Sequence, residues 1–279
     1  MSDGQPSRPM DRMVAVLNRP DTARSVLAAT RLLAEQLPGA AVQVVHPRPG
    51  IDPDFLPTEE VMTPDRSRAF AAERDGIYRA LYAAAAQAGF DRPRQLIGPV
   101  REVVAHAARG AAAVIAGAAG TTAGEPGHAD ARDAIEAVLF DAEAPLLLVP
   151  RAVPATLGRR VALAWERSEA ADEALQAALP LLMGADAVTI LAARERHART
   201  DLPDGLLAAL RQHGTAVSVH GFGLDGRDIG DAILAEADAA GADLLVMGAF
   251  THPRTLEALF GGATREVMGG ARIPVLLHH

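Results

Sequence analysis

The stretch that decides the fold is ADLLVMGAFTHPRTLEALFGGATREVMGGARIPVLLHH, from Ala242 to His279. It reads as a buried strand (242–248), a glycine turn, a loop, a glycine pair opening a helix near 262–269, and a closing strand (273–279). A short apolar run bounded by glycine is the pattern of a strand covered on both faces. Glycines between a strand and a helix N-terminus bring bare backbone against a ligand. There the outward amides and the helix dipole favour a phosphate. The stretch therefore predicts a nucleotide or phosphate site.

Working outward, the same pattern occurs twice. The first pass has strands MVAVLN (13–18), AVQVVH (41–46), RQLIGPV (94–100), AAAVIAG (111–117) and PLLLVP (145–150). Helices are predicted at 22–37, 67–89, 101–109 and near 129–142 between them. A proline-rich stretch lies near 46–66, and PRAVPATLG (150–158) reads as a linker. The second pass has strands at 160–165, 187–193, 216–222, 242–248 and 273–279, with helices at 168–182, 203–213, 228–240 and 262–269. Apolar runs alternating with amphipathic helices predict an α/β fold of two doubly wound, parallel, five-stranded sheets in tandem. Each copy is large enough to be a domain, giving 1–150 and 158–279. Ligands on such sheets sit beyond the carboxyl ends of the strands at the switch point, which here means the turns after strands one and four.

Composition narrows the function. Of 279 residues, 49% are hydrophobic, enough for a real core; the net charge is -8 and only 4% are aromatic, which argues against nucleic-acid binding. The chain has no cysteine, so thiolate nucleophiles, disulfides and Cys-ligated metals are excluded. It has no lysine either, which removes Schiff-base chemistry and a P-loop lysine. No apolar run reaches the roughly 20 residues that span a bilayer, and the start lacks the apolar core of a signal peptide. The expectation is a soluble cytoplasmic protein with no membrane partner.

The residues of the second copy resemble the universal stress protein family, an adenine-nucleotide α-hydrolase-like fold. That family's pattern is a glycine, two residues, a second glycine, nine residues, and a glycine followed by Ser or Thr. Gly248 and Gly261 occupy the first and third positions at the right spacing, Thr251 stands at the second, and Gly262 replaces the Ser or Thr. Val246-Met247-Gly248, Ile273-Pro274-Val275-Leu276-Leu277 and RVALAWERSEAADEAL also look like the family, and the likeness extends to both copies. Members that bind ATP place an Asp at the end of strand one; Glu166 stands there in the second copy and Asn18 in the first. The resemblance implies phosphate on the amides of 261–264, with Thr264 supplying a hydroxyl and Glu166 accepting from the ribose. The first copy keeps Gly117 and Gly120, but its closing alignment puts Arg132-Asp133 opposite Gly261-Gly262, and an acid repels an anion there. It is read as a degenerate partner; the rival reading gives it an uncharged or different ligand.

Arg254 is either a phosphate contact or part of a solvated loop with Thr251, His252 and Pro253. Ser168 reads as a helix N-cap. The candidate site is thus Glu166, Gly248, Thr251, Arg254, Gly261, Gly262 and Thr264, with no catalytic or metal residues. The resemblance implies a non-enzymatic stress-response regulator binding ATP in its second copy, with an unknown protein partner. The alternative is a nucleotide-free interaction scaffold. It also implies dimerisation through the closing strands, so a tandem chain is expected to form an internal pseudo-dimer, PLLLVP beside PVLLHH, with a homodimer open.

Overall fold

The computed structural model describes residues 12–49, 63–119, 127–193, 202, 205–249 and 262–279. The first half runs β1 (Arg12–Val16), α1 (Pro20–Gln36), β2 (Ala41–Arg48), α2 (Pro64–Gln87), β3 (Arg94–Ile97), α3 (Val100–Ala108), β4 (Ala113–Gly117), α4 (His128–Glu136) and β5 (Leu146–Val149). The second runs β6 (Arg160–Ala164), α5 (Glu169–Gly184), β7 (Ala187–Ala193), α6 (Leu206–Gln212), β8 (Ala216–Phe222), α7 (Ile229–Ala239), β9 (Leu244–Gly248), α8 (Gly262–Gly270) and β10 (Val275–His278).

The strand order is β3-β2-β1-β4-β5-β10-β9-β6-β7-β8. Each half is a parallel five-stranded sheet in the order 3-2-1-4-5. The two sheets meet edge to edge where β5 pairs antiparallel with β10, Leu147 opposite Leu276. One continuous ten-stranded sheet results. Both contact strands carry leucines on both faces and are covered by helices, so their edges unite rather than face water.

Side-chain alternation sends Met13, Ala15 and Leu17 to one face, with α1, α2, α5 and α6, and Val14 and Val16 to the other, with α3, α4, α7 and α8. Each of the two cores takes residues from both halves.

One local device repeats. Arg12 donates to the carbonyls of Ala107 and Arg109 at 2.8 and 2.6 Å, closing the end of α3. Arg160 donates to the Ala240 carbonyl at 2.8 Å, closing α7. A guanidinium at a helix C-terminus satisfies carbonyls left without intrahelical partners and complements the dipole.

Boundaries differ from the sequence pattern in places. The helix expected over 129–142 is α-helical only to Glu136, then widens into a π-helical turn over Ala137–Asp141. The closing strand begins at Val275 because Pro274, which has no N–H, cannot donate to the ladder. α5 runs through Pro180 to Gly184, two residues past the expected end.

Candidate functional site

In the second copy, β6 lies between β7 and β9, and β9 between β6 and β10. The chain leaves β6 towards one edge and β9 towards the other, so their carboxyl ends border the crevice where such folds bind ligands. Trp165, Glu166, Arg167 and Ser168 line the turn after β6, and the Trp165 amide extends the ladder to the Leu191 carbonyl at 2.9 Å. Ser168 is the N-cap expected: its hydroxyl accepts from the Ala171 amide at 3.1 Å.

Gly248 ends β9 directly beneath the first turn of α5. A Cβ there would lie 2.6 Å from the Ala171 nitrogen and 2.7 Å from the Ala170 carbonyl carbon. This glycine therefore lets a helix and a strand approach closely, a packing requirement that stands apart from any ligand. Its counterpart Gly117 does the same beneath Thr22 of α1. The amide of the next residue, Ala249, donates to the His278 carbonyl at 2.7 Å.

α8 opens with Gly262 exposed and Thr264 buried. The amides of a helix's first turn have no intrahelical acceptor, and among the described residues none is found for Gly262 or Ala263. α8 packs tightly on α7: a Cβ on Gly230 would meet the Ala263 carbonyl oxygen at 2.7 Å. The pair is tied by Glu266, which accepts from the Gly230 amide at 2.8 Å. Its other carboxylate oxygen lies 3.2 Å from where a Gly262 Cβ would be. Glu266 thus places negative charge beside the opening turn of α8, a feature the sequence pattern did not reveal. Glu166 stands exposed just past β6. Thr251, Arg254 and Gly261 lie outside the described residues. Trp165 is buried, and among the described residues nothing accepts from its indole N–H.

The first copy's mouth is closed by its own side chains. Arg19, buried, pairs with Asp21 at 2.8 Å and donates to the Ala119 carbonyl at 2.5 Å. Burial pushes the Asp21 carboxyl up, but the hydrogen bond from Arg19 and the charges of Arg19 and Arg151 outweigh it and hold it below the usual range. Arg74 of α2 reaches Asp130 of α4 at 2.9 Å, both nearly buried. The sheet registers set Val149 beside Gly117 and His278 beside Gly248, so the closing strands of the two copies sit alike against their neighbours. Burial raises the Asp133 carboxyl, and Glu136 and Asp130 raise it further. An acid already crowded by acids is a poor host for phosphate. Gly120 lies outside the described residues.

Residues 158–279 match the family model described as the universal stress protein family. Those residues form a universal stress protein domain. No curated protein matches the chain. Among solved structures, a universal stress protein from Archaeoglobus fulgidus DSM 4304 is 16% identical, with a TM-score of 0.64 over 96% of both chains. A putative universal stress protein from Pseudomonas aeruginosa UCBPP-PA14 is 13% identical, with a TM-score of 0.53 over 97% of this chain and 95% of its own. Both likenesses span the tandem arrangement and show the fold. A universal stress protein from Archaeoglobus fulgidus in complex with dAMP is 20% identical over 43% of this chain and 97% of its own; its TM-score of 0.32 carries no argument for the ligand here. In this universal stress protein domain the crevice between β6 and β9 is therefore set by the fold, while its ligand is a matter of the residues just described.

Proposed function

We propose that the chain is a cytoplasmic stress-response regulator that binds an adenine nucleotide, ATP, at the mouth of its second sheet and acts by binding rather than by catalysis. The observation that carries this reading is the start of α8 at the switch point, where Gly262 and Ala263 present amides with no acceptor among the described residues. Phosphate oxygens complete such a turn and gain from its dipole. Glu166 at the end of β6 accepts from ribose hydroxyls, and the buried Trp165 N–H offers a donor near the same strand end. Thr251, Arg254, Gly261 and Thr264 belong to this reading as the rest of the phosphate contact. Nucleotide binding then changes the conformation of the chain or its choice of protein partner.

The antiparallel β5–β10 contact occupies within one molecule the closing-strand edges through which the family resemblance implies dimers. The reading is an internal pseudo-dimer, and light scattering is expected to give the mass of one chain; a dimer mass would require a second interface.

One observation favours the rival scaffold reading. The Glu266 carboxylate beside Gly262 opposes an incoming anion. Isothermal titration of ATP into the folded chain decides between them. The nucleotide reading expects saturable 1:1 heat that Gly262→Asp abolishes. Silence at millimolar ATP leaves the scaffold.

A further inference from the structure

The two halves share one strand order, so β3 and β8 are equivalent strands, and they form the two outer edges of the ten-stranded sheet. An outer edge presents unpaired backbone groups to any added strand, and proteins blunt it by shortness, proline or charge. β3 has all three: it is four residues long, opens with Arg94 and lies between Pro93 and Pro99. β8 has none. It runs for seven residues, Ala216-Val217-Ser218-Val219-His220-Gly221-Phe222, without proline, arginine or carboxylate.

The register shows which backbone groups of β8 are left over. The Ala216 amide donates to the Asp186 carbonyl at 3.1 Å, and β8 pairs in parallel with β7 from Ala216 opposite Ala187 to Phe222 opposite Ala193. In a parallel ladder a residue turns both its N–H and its C=O to one neighbour, and the next residue turns both away. Ser218, His220 and Phe222 therefore bond to β7, as Ala216 does, and Val217, Val219 and Gly221 aim theirs outward. Among the described residues no backbone group pairs with these three on that side.

The two faces of the edge differ in chemistry. Val217 packs partly on the core beside α6, and Val219, on the same face by alternation, is 50% exposed. Ser218 and His220 lie on the other face, where His220 meets Glu236 of α7 at 3.0 Å. Arg227 reaches both Glu236 and Asp225 at 3.6 Å. Asp225, Asp228 and Asp231 are exposed at the carboxyl end of the strand. One arginine against four carboxylates leaves that end acidic. A second copy of the chain is a poor match for it. Antiparallel pairing of β8 with itself keeps the faces of the sheet, so α7 of one chain would stand beside α7 of the other, acid against acid, between chains of net charge -8.

We propose that β8 is the docking edge for an extended segment of a protein partner in which apolar and basic residues alternate. The backbone of the segment pairs with Val217, Val219 and Gly221. Its apolar side chains cover Val217 and Val219, and its basic ones lie over Ser218 and His220, towards Asp225 and Asp228. The inference stands whether or not the second copy binds nucleotide.

The probe is the capped peptide Val-Arg-Val-Arg-Val-Arg-Val, titrated into the full chain and read by amide hydrogen exchange. The expected result is saturable binding that slows exchange roughly tenfold or more at Val217, Val219 and Gly221, with less change at Ser218 and His220, which are already bonded to β7. The same peptide with Glu in place of Arg stays unbound. Val219→Pro removes an outward N–H and no bond to β7, so it weakens binding by roughly tenfold or more in a chain that still folds. Val219→Lys, an exposed change that sets a like charge against the basic peptide, weakens it as well. No binding at millimolar peptide, binding that leaves the three outward amides exchanging as before, or equal binding of the glutamate peptide overturns the proposal. So does a chain found dimeric by light scattering and made monomeric by Val219→Pro, which would assign the edge to a second copy.

Discussion

Replacing Gly248 by alanine separates packing from ligand binding at the switch point. The new Cβ would stand 2.6 Å from the Ala171 nitrogen and 2.7 Å from the Ala170 carbonyl carbon. Both are backbone atoms, so no rotamer change relieves the contact. To reach ordinary van der Waals separation, α5 or β9 has to move by roughly 0.8 Å. α5 is not free to move: Ala174, Leu175, Ala178, Leu181 and Leu182 hold it in the core, and Ser168 caps its first turn. Overpacking of this kind costs about 1–3 kcal/mol. For a chain of this size each kcal/mol moves the melting temperature by about 2–4 °C, so a fall of roughly 2–12 °C is expected. Gly262→Ala is the control. Its Cβ meets only the end of the Glu266 side chain, at 3.2 Å, which can swing aside. Its melting temperature is expected within about 2 °C of the parent, alanine being the better helix former. Differential scanning calorimetry of both variants without nucleotide is the assay. A Gly248→Ala protein as stable as the parent, or a Gly262→Ala protein damaged as badly, refutes the assignment of Gly248 to helix–strand packing.

Two further outcomes follow from single side chains. Glu266→Gln keeps an oxygen for the Gly230 amide but removes the charge beside α8, so ATP affinity by calorimetry should rise about two- to fivefold; an unchanged or weaker affinity counts against phosphate at this turn. His46, whose folded pKa lies below its unfolded value near 6.5, binds a proton more readily in the unfolded chain. Its contribution is therefore fully present above that unfolded value and declines as pH falls through it towards the folded one. Urea denaturation at pH 7.5, 6.5 and 5.5 should show the decline, and His46→Phe should flatten it; a chain that gains stability on acidification through this range contradicts the burial argument.

Much of the architecture was legible because it is written in local patterns. Apolar runs marked the strands, some of them bounded by glycine, and the match of Ala144-Pro145-Leu146-Leu147-Leu148 with Ile273-Pro274-Val275-Leu276-Leu277 set the copies in register. The cap at Ser168 was legible for the same reason, since it depends on residues within one turn. Features of the site were less so. Arg74–Asp130 joins residues 56 apart through helices that overhang the sheet, and no spacing rule foretells it. The pairing of Glu266 with Gly230 depends on how closely α7 and α8 approach, which a glycine permits but does not announce. Gly248 matched a ligand motif in sequence, yet the strand beneath a helix requires a glycine there on packing grounds alone.

Backbone amide chemical shifts recorded during ATP titration report whether the opening turn of α8 grips an anion at the mouth of the second sheet, as proposed. The largest downfield movements are expected at Gly262 and Ala263, saturating together. Shifts confined to other segments, or none at all in a folded sample at millimolar ATP, would contradict it.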